Sequence, residues 1–541
     1  MASLCFPNSP NTGPAPTANE IYSTCREVFK QQVSEGLRRP IIFPYNFLSL
    51  FTLVAYLCIP HKQNPIIYAV RWPLVGLITW FELRLIQESS GVGIDLGYRT
   101  GATSAIILML SWTWLIFKKP QWNAKRVERR RVQVPVKESQ LTKKKPRTFD
   151  QEPCTEKFDN NAVPLSEEGH TEVLVGNIKV NDYFWQSYPE DLKERLSWVM
   201  DLLFNARGSG WNWSVPTIPK LTPEIQSKLG GMALDELHPS YSWTAEKKQF
   251  CVRYQNLLPR VSFHISYFLI FDIVRSIMMK DPYFKLGPTT YDLPSYIQSL
   301  HPSVLQFYRL LLSAVGVLTY LTLTFANIDI LMSCVLGTTV LGLRGEPWYY
   351  PPTMGNISYI LDKGLNGLWG GFWHQIFRNF FTAPTKYLIT EGYIKAGYYS
   401  TKILGLIFAF AMSGFLHWAS AKTSFIPTHP IQEAIFFIAQ GFGVVLQESL
   451  CCLFSSLIVR LPKTLRQTGN LSYTLGWLYL TGWLAADDFA RAGFWLVEPF
   501  LFSPTQALGL GEHDGSWNCW KPLDFVWYSG KYWWESGITI L

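Results

Sequence analysis

The feature that most constrains this chain is an uncharged apolar run at Ile403–Ser420, in which His417 is the one ionisable side chain. A helix needs about 20 residues, at about 1.5 Å of rise each, to cross the hydrocarbon core of a bilayer. Within that core, each backbone polar group must find a partner inside the segment, so a run of this kind must be helical. The sequence therefore predicts a membrane-spanning helix that contains a histidine.

Similar apolar runs occur on both sides of this one. Only 16% of the residues are charged, whereas a typical soluble domain has about 25%. The other predicted spans are Ile41–Pro60, Pro65–Leu85, Gly101–Phe117, Val261–Met279, Val304–Phe325, Ile330–Leu343, Ile431–Val459 and Leu471–Ala486. We therefore expect an all-α fold: a polytopic integral membrane protein with about eight or nine transmembrane helices and a large cytoplasmic loop.

The segment Lys118–Arg147 carries twelve Lys and Arg residues and two Glu residues. Positively charged loops stay in the cytoplasm, so this segment and the amphipathic sequence up to Arg260 form the predicted loop. Five parts follow: a polar N-terminal segment (1–40), the first transmembrane helices (41–117), the cytoplasmic loop (118–260), a membrane-embedded core (261–500) and a C-terminal tail (501–541). We expect a protein of the endoplasmic reticulum membrane, with a lumenal N-terminus and no nucleic acid partner.

Several known catalytic motifs are absent from the sequence, which limits the reactions that we expect this chain to catalyse. The chain has no Gly-x-Ser-x-Gly, P-loop or His-Glu-x-x-His sequence and no evident set of metal ligands, so we expect neither a nucleophile-elbow hydrolase nor a metal enzyme. Two histidines do lie in apolar settings: His417, and His374 within Leu365–Arg378. An apolar setting favours the neutral imidazole, which is the form that accepts a proton from an attacking hydroxyl group. Acyl transfer from a thioester needs that base, a bound alcohol and donors for the developing oxyanion.

Four motifs, in order along the chain, indicate a family. They are Arg-Gly-x-Gly-Trp-Asn-Trp at Arg207–Trp213, Trp-Gly-x-x-Trp-His-Gln-x-x-Arg at Trp369–Arg378, Ser-Gly-Phe-Leu-His at Ser413–His417 and Asp-Asp-Phe-Ala-Arg-Ala-Gly-Phe-Trp at Asp487–Trp495. Together they resemble the wax synthase-like branch of the membrane-bound O-acyltransferases, in particular fungal members that acetylate terpenoid and meroterpenoid natural products. The resemblance implies a multi-helix enzyme that uses an acyl-CoA, with His417 as the general base and Asn366 and His374 as a second polar catalytic motif.

For substrate binding we expect four residues of these motifs: Trp369, Trp373, Arg378 and Arg207. The resemblance implies acetyl transfer from acetyl-CoA, a co-substrate and not a bound cofactor, to a hydroxyl group of a hydrophobic terpenoid or meroterpenoid alcohol. The expected partners are thus an acyl-CoA, this alcohol and the lipid bilayer.

Two other functions stay open. One is a long-chain acyltransferase of the wax-ester type. The other is a transporter of an apolar metabolite, in which His417, Glu448 and Asp272 would relay protons. A membrane-embedded terpene cyclase would need acidic residues in its core motifs, whereas the motifs of this chain are centred on histidine.

Overall fold

The chain folds mainly into helices that are long and apolar. The computed structural model describes residues 15–92, 94–137, 174–229, 257–496, 498–512, 519 and 524–541. Within those ranges, six helices are long and apolar enough to cross a membrane: Pro65–Glu88, Leu96–Phe117, Pro259–Lys280, Pro302–Gly345, Tyr399–Lys422 and Pro430–Leu453. These helices support the predicted integral membrane architecture, while the count of eight or nine spans stays a prediction.

The longer elements carry the labels used below. They are α1 (Ala18–Ser34), α2 (Leu48–Cys58), α3 (Arg71–Glu88), α4 (Arg99–Ser111), β1 (Arg126–Lys137), β2 (Leu174–Gln186), α5 (Leu192–Phe204), α6 (Leu257–Lys280), α7 (Pro302–Asp329), α8 (Ser358–Gly367), α9 (Arg378–Thr390), α10 (Tyr399–Lys422), α11 (Pro430–Leu453), α12 (Lys463–Thr481), α13 (Trp483–Arg491), β3 (Phe525–Tyr528) and β4 (Gly537–Ile540). Shorter helical turns include Ile94–Tyr98, Trp112–Phe117, Pro282–Leu286, Ile330–Leu336 and Leu368–Phe372.

Two predicted spans, Val304–Phe325 and Ile330–Leu343, belong to one helical stretch, Pro302–Gly345. Asp329 separates the two apolar runs in the sequence and is the last residue of α7, but the helical turn Ile330–Leu336 follows it without a break. Its Oδ1 atom accepts a hydrogen bond from Arg260 at 2.9 Å. Because an ion pair lowers the cost of placing a charge inside the protein, the helix continues through this position.

Two other predicted spans are shorter or more polar in the structure. The first, Ile41–Pro60, contains only a short apolar helix at Tyr45–Cys58. The last, Leu471–Ala486, is divided between α12 and α13. The side chain of Asn470 in α12 donates to the carbonyl oxygen of Leu361 in α8 at 3.0 Å. This helix therefore packs through polar groups, which explains why its apolar run is short.

The chain is mostly helical, as the predicted all-α class requires, but two small antiparallel hairpins are also present. Strands β1 and β2 pair from Arg126↔Gln186 to Lys137↔Leu174, and β3 pairs with β4 in the C-terminal tail. Every second residue is a valine through the second half of β1, a period of two that suits a strand. The first hairpin belongs to the predicted cytoplasmic loop, of which residues 138–173 and 230–256 lie outside the described part of the chain.

Helices α4, α10 and α11 pack closely against one another. A Cβ atom added at Gly101 of α4 would lie 1.9 Å from the carbonyl oxygen of Ala419 in α10. A Cβ atom added at Gly414 would lie 3.1 Å from the carbonyl oxygen of Ala434 in α11. The Thr423 hydroxyl of α10 also accepts the Gly101 N–H at 2.9 Å. Small residues therefore let the three helix backbones approach each other, as is common among membrane helices.

Candidate active site

His417 lies in α10, a helix that is long enough to span a membrane. The residue is deep in the protein, yet 25% of its side-chain surface is accessible, so open space reaches the ring. The Nδ1 atom of the His417 ring is hydrogen-bonded to the Tyr98 hydroxyl. Among the described residues, Nε2 has no hydrogen-bond partner, and it is not one of the fully buried polar atoms. Nε2 is therefore the nitrogen that faces the open space.

Two residues from other helices hold the opposite edge of the ring. The Tyr98 hydroxyl lies 2.8 Å from His417 Nδ1, and it donates a hydrogen bond to Glu433 Oε2 at 2.7 Å. The carboxylate of Glu433, which is fully buried, is 3.8 Å from His417 Nδ1. Tyr98 directly precedes α4, and Glu433 lies in the first turn of α11. The close packing of α4, α10 and α11 thus brings the three side chains together.

Glu433 has a second acidic neighbour, Asp488 of α13. The two carboxyl groups are within hydrogen-bonding reach of each other, and Asp488 Oδ1 accepts the backbone N–H of His429. A carboxylate has no donor of its own, so a hydrogen bond between the two groups would need one shared proton. In the described residues, Glu433 Oε1 and Asp488 Oδ2 are buried and find no other donor.

Aromatic rings surround the rest of His417. The Phe437 ring stacks on the imidazole with centroids 4.1 Å apart and planes 19° from parallel. Trp369 contacts Phe437 at 6.0 Å and Trp373 at 5.7 Å between ring centroids. Two of the predicted substrate-binding residues, Trp369 and Trp373, therefore line the approach to His417.

His374 directly follows Trp373 in the chain. Its ring is 5.4 Å from that of Trp373, and it is close enough to His417 and to Arg207 for their charges to interact. Its Nδ1 atom is buried with no hydrogen-bond partner in the described part of the chain. His374 thus offers an unsatisfied ring nitrogen between the Arg207 loop and His417.

Gln375 and Arg378 fix the backbone that carries His374. The Gln375 amide donates to the carbonyl oxygens of Trp369 at 2.9 Å and Trp373 at 2.6 Å. Arg378 donates to the Gly370 carbonyl oxygen at 2.7 Å and to Gln375 Oε1 at 2.8 Å. These contacts place Arg378 behind the histidine segment, where it shapes the site through the backbone.

The fold does not place Asn366 near His417. Its side-chain amide donates to Glu448 Oε1 at 2.7 Å, and Glu448 pairs with Lys402 at 2.8 Å. Glu448 is eleven residues beyond Phe437 on the same helix, which corresponds to roughly 16 Å along the helix axis. Asn366 therefore lies toward the opposite end of α11 from the residues around His417.

A cavity of about 1060 Å³ lies on the Arg207 side of His374. Its walls include Phe263 of α6, Phe325 of α7 and Phe372, which is two residues before His374. Arg207 Nη1 donates to the Pro352 carbonyl oxygen at 2.6 Å, and Nη2 donates to that of Pro351. Burial lowers the pKa of the Arg207 guanidinium to about 10, so the group stays charged at neutral pH.

Sequence reasoning missed Tyr98, Glu433 and Asp488. Glu433 carries a usable signal, since it is an acidic residue in the first turn of an otherwise apolar helix. Asp488 belongs to a recognised motif, yet nothing in that motif assigns it a partner. Tyr98 gives no signal, because a tyrosine at the start of a span is most simply an interfacial residue.

Comparisons with known proteins give one family match and two relatives. The model of the Membrane bound O-acyl transferase family matches residues 350–439, a segment that includes His374, His417 and Glu433. O-Mevalon transferase yanI of Aspergillus niger is 21% identical over 313 residues, which are 54% of this chain and 60% of that protein. The chain thus matches less than two thirds of this relative. Acetyltransferase ple2 of Rhodocybe pseudopiperita is 22% identical over 339 residues, which are 60% of this chain and 74% of that protein. No solved structure matches the chain.

Proposed function

We propose that this chain transfers an acetyl group from acetyl-CoA to a hydroxyl group of a hydrophobic terpenoid or meroterpenoid alcohol. Its family match and both transferase relatives identify it as a membrane-bound O-acyltransferase. The observation that carries the proposal is the position of His417. Its Nε2 atom faces open space inside an apolar, aromatic environment, where a neutral imidazole can act as a general base.

In the proposed reaction, His417 Nε2 accepts the proton of the substrate hydroxyl group while the hydroxyl oxygen attacks the thioester carbonyl carbon. The carbon–sulfur bond then breaks, and the leaving thiolate takes the proton from His417. The products are one ester and one molecule of free CoA, and the histidine returns to its neutral state. No covalent enzyme intermediate is needed, because the base serves both proton transfers.

His374 is the proposed stabiliser of the negative charge that develops on the thioester oxygen. Nδ1 of His374 is fully buried, but Nε2 is not one of the fully buried polar atoms of the described residues, so the proposed donor to the thioester oxygen is Nε2–H. Trp369 and Trp373 would pack against the reactants on the same side. Asn366 has a different proposed task, because its bond to Glu448 supports the helix contact away from His417.

The proposed site of the acetyl-CoA molecule is the cavity beside Arg207. Arg207 lines it, and its positive charge suits a phosphorylated donor. Arg344 also lines it but is paired there with Asp201 at 3.2 Å. The predicted cytoplasmic hairpin adjoins this side of the protein, since Arg129 of β1 pairs at 3.1 Å with Glu346, two residues beyond Arg344. The hydrophobic alcohol would reach His417 from the bilayer, where an apolar molecule concentrates.

The central experiment uses the purified full-length chain in detergent. It is incubated with acyl-CoA donors from acetyl to palmitoyl and with a panel of terpenoid alcohols, and mass spectrometry measures ester and free CoA. We expect ester and CoA in equal amounts with acetyl-CoA, and about 10²–10⁴-fold slower formation of both with the His417→Ala variant. Ester formed only from long-chain donors would favour the wax-ester type. Movement of an alcohol across liposomes without release of CoA would favour the transporter.

A matched pair of variants tests the donor cavity. Arg207→Gln removes a charge that lines the cavity but keeps a donor for a proline carbonyl oxygen, and we expect a higher KM for acetyl-CoA. Arg130→Gln removes an exposed charge paired with Asp182 on the hairpin and is expected to leave KM unchanged. An Arg207→Gln variant with normal KM and reduced turnover would place the donor elsewhere.

A further inference from the structure

The contacts of His417 fix which of its nitrogens carries the proton. A tyrosine hydroxyl has one proton, and that of Tyr98 is directed to Glu433 Oε2 at 2.7 Å. The hydroxyl oxygen is therefore an acceptor toward His417 Nδ1, which lies 2.8 Å away. Nδ1 must then be the protonated nitrogen, and Nε2, on the open side of the ring, must carry the free electron pair.

The charge of the acidic pair also suits this arrangement. Glu433 and Asp488 are within hydrogen-bonding reach of each other, and one proton shared between them would leave the pair with one negative charge. Glu433 lies in the first turn of α11, where the helix dipole stabilises negative charge. When His417 becomes an imidazolium, Oε2 of Glu433 is the atom of this pair that lies 3.8 Å from Nδ1. Catalytic triads use a buried carboxylate in the same way.

We propose that Tyr98 and Glu433 are positioning residues that hold His417 with Nδ1 protonated and Nε2 free to accept the substrate proton. The stack on Phe437 fixes the plane of the ring, and the Tyr98 hydrogen bond fixes its rotation within that plane. Tyr98 is thus an intermediate group between histidine and carboxylate. Its role in turnover rests on the proposed acyl transfer, whereas its effect on the tautomer does not.

The kinetic test compares two buried tyrosines in equivalent settings. Tyr98→Phe removes the hydroxyl that contacts His417. Tyr283→Phe removes a hydroxyl that donates to Asp487 Oδ1, also at 2.7 Å, but does not touch the histidine. We expect Tyr98→Phe to lower kcat about 10²-fold or more with KM within about twofold, because a misoriented or wrongly protonated base is ineffective. Tyr283→Phe is expected to keep the kcat of the unmodified protein.

Two further variants separate positioning from general damage. Glu433→Gln removes the charge and is expected to lower kcat with unchanged KM. In a His417→Ala background, adding Tyr98→Phe should cause no further loss, since the residue that it positions is gone. A second loss of similar size in that background would show that Tyr98 acts independently of His417 and would overturn the proposal.

Nitrogen-15 NMR of the full chain, labelled at histidine and without substrate, gives a readout that does not depend on activity. The His417 signals are assigned by their loss in His417→Gln. We expect the Nδ1–H tautomer in the unmodified protein and in Tyr283→Phe, and a mixture of tautomers in Tyr98→Phe. An Nε2–H tautomer in the unmodified protein would refute the proposal. If NMR shows the expected Nδ1–H tautomer but the activity assay yields no ester from any donor, only the proposed acyl transfer is refuted.

Discussion

The close contact between α4 and α10 predicts how one added methyl group, in the variant Gly101→Ala, changes stability and turnover. In Gly101→Ala, the new Cβ atom would lie 1.9 Å from the carbonyl oxygen of Ala419, whereas ordinary Cβ contacts begin near 3.4 Å. The two helices must therefore separate locally by about 1.5 Å, a distance that a packed interface resists.

That separation occurs beside the candidate active site. Gly101 is one turn after Tyr98, and Ala419 is two residues after His417. The hydrogen bond between Tyr98 and His417, now 2.8 Å long, would stretch beyond the usual limit of about 3.2 Å. We expect a loss of about 1–3 kcal/mol in stability from overpacking and about a 10²-fold loss of turnover, which is typical of a 1 Å misplacement.

The matched control is Gly76→Ala in α3, where an added Cβ atom would meet nothing within 4 Å. Both changes replace a helical glycine, and both gain about 1 kcal/mol of helix propensity, so their difference isolates the contact. Thermal unfolding in detergent and the rate of CoA release measure the two effects. Normal turnover and normal thermal stability in Gly101→Ala would refute the close packing of α4 on α10 and the site built on it.

Other expected outcomes address the remaining site residues and the topology. His417→Ala should lower turnover by about 10²–10⁴-fold with normal membrane insertion; substantial remaining activity would exclude His417 as the base. His374→Ala should lower kcat by about 10²–10³-fold. Asn366→Ala should lower the thermal midpoint and leave kcat within about threefold. A large loss of kcat in Asn366→Ala with a normal kcat in His374→Ala would exchange their roles. Asn212, in a glycosylation sequon of the predicted cytoplasmic loop, should carry no glycan; a mobility shift on treatment with a glycosidase would reverse the topology.

The sequence by itself determined the class of protein and predicted His417 as the central residue of its site. Long apolar runs are local features, and the bilayer forces each one into a helix whatever the rest of the chain does. Six such helices are present in the described ranges, and the family match confirms the resemblance read from the motifs. The merging of two predicted spans into Pro302–Gly345 and the hairpin of β1 and β2 were not predicted, because ion pairing and strand pairing depend on distant partners.

Only the tertiary structure decided which polar groups meet at His417. Tyr98 is 319 residues away in sequence, and no spacing rule reaches across separate helices. Asn366 and His374 are eight residues apart in one motif, yet only His374 comes near His417. The reason is physical: burial forces each polar side chain to find a partner across a helix interface, and the packing of small residues such as Gly101 decides which partner is within reach.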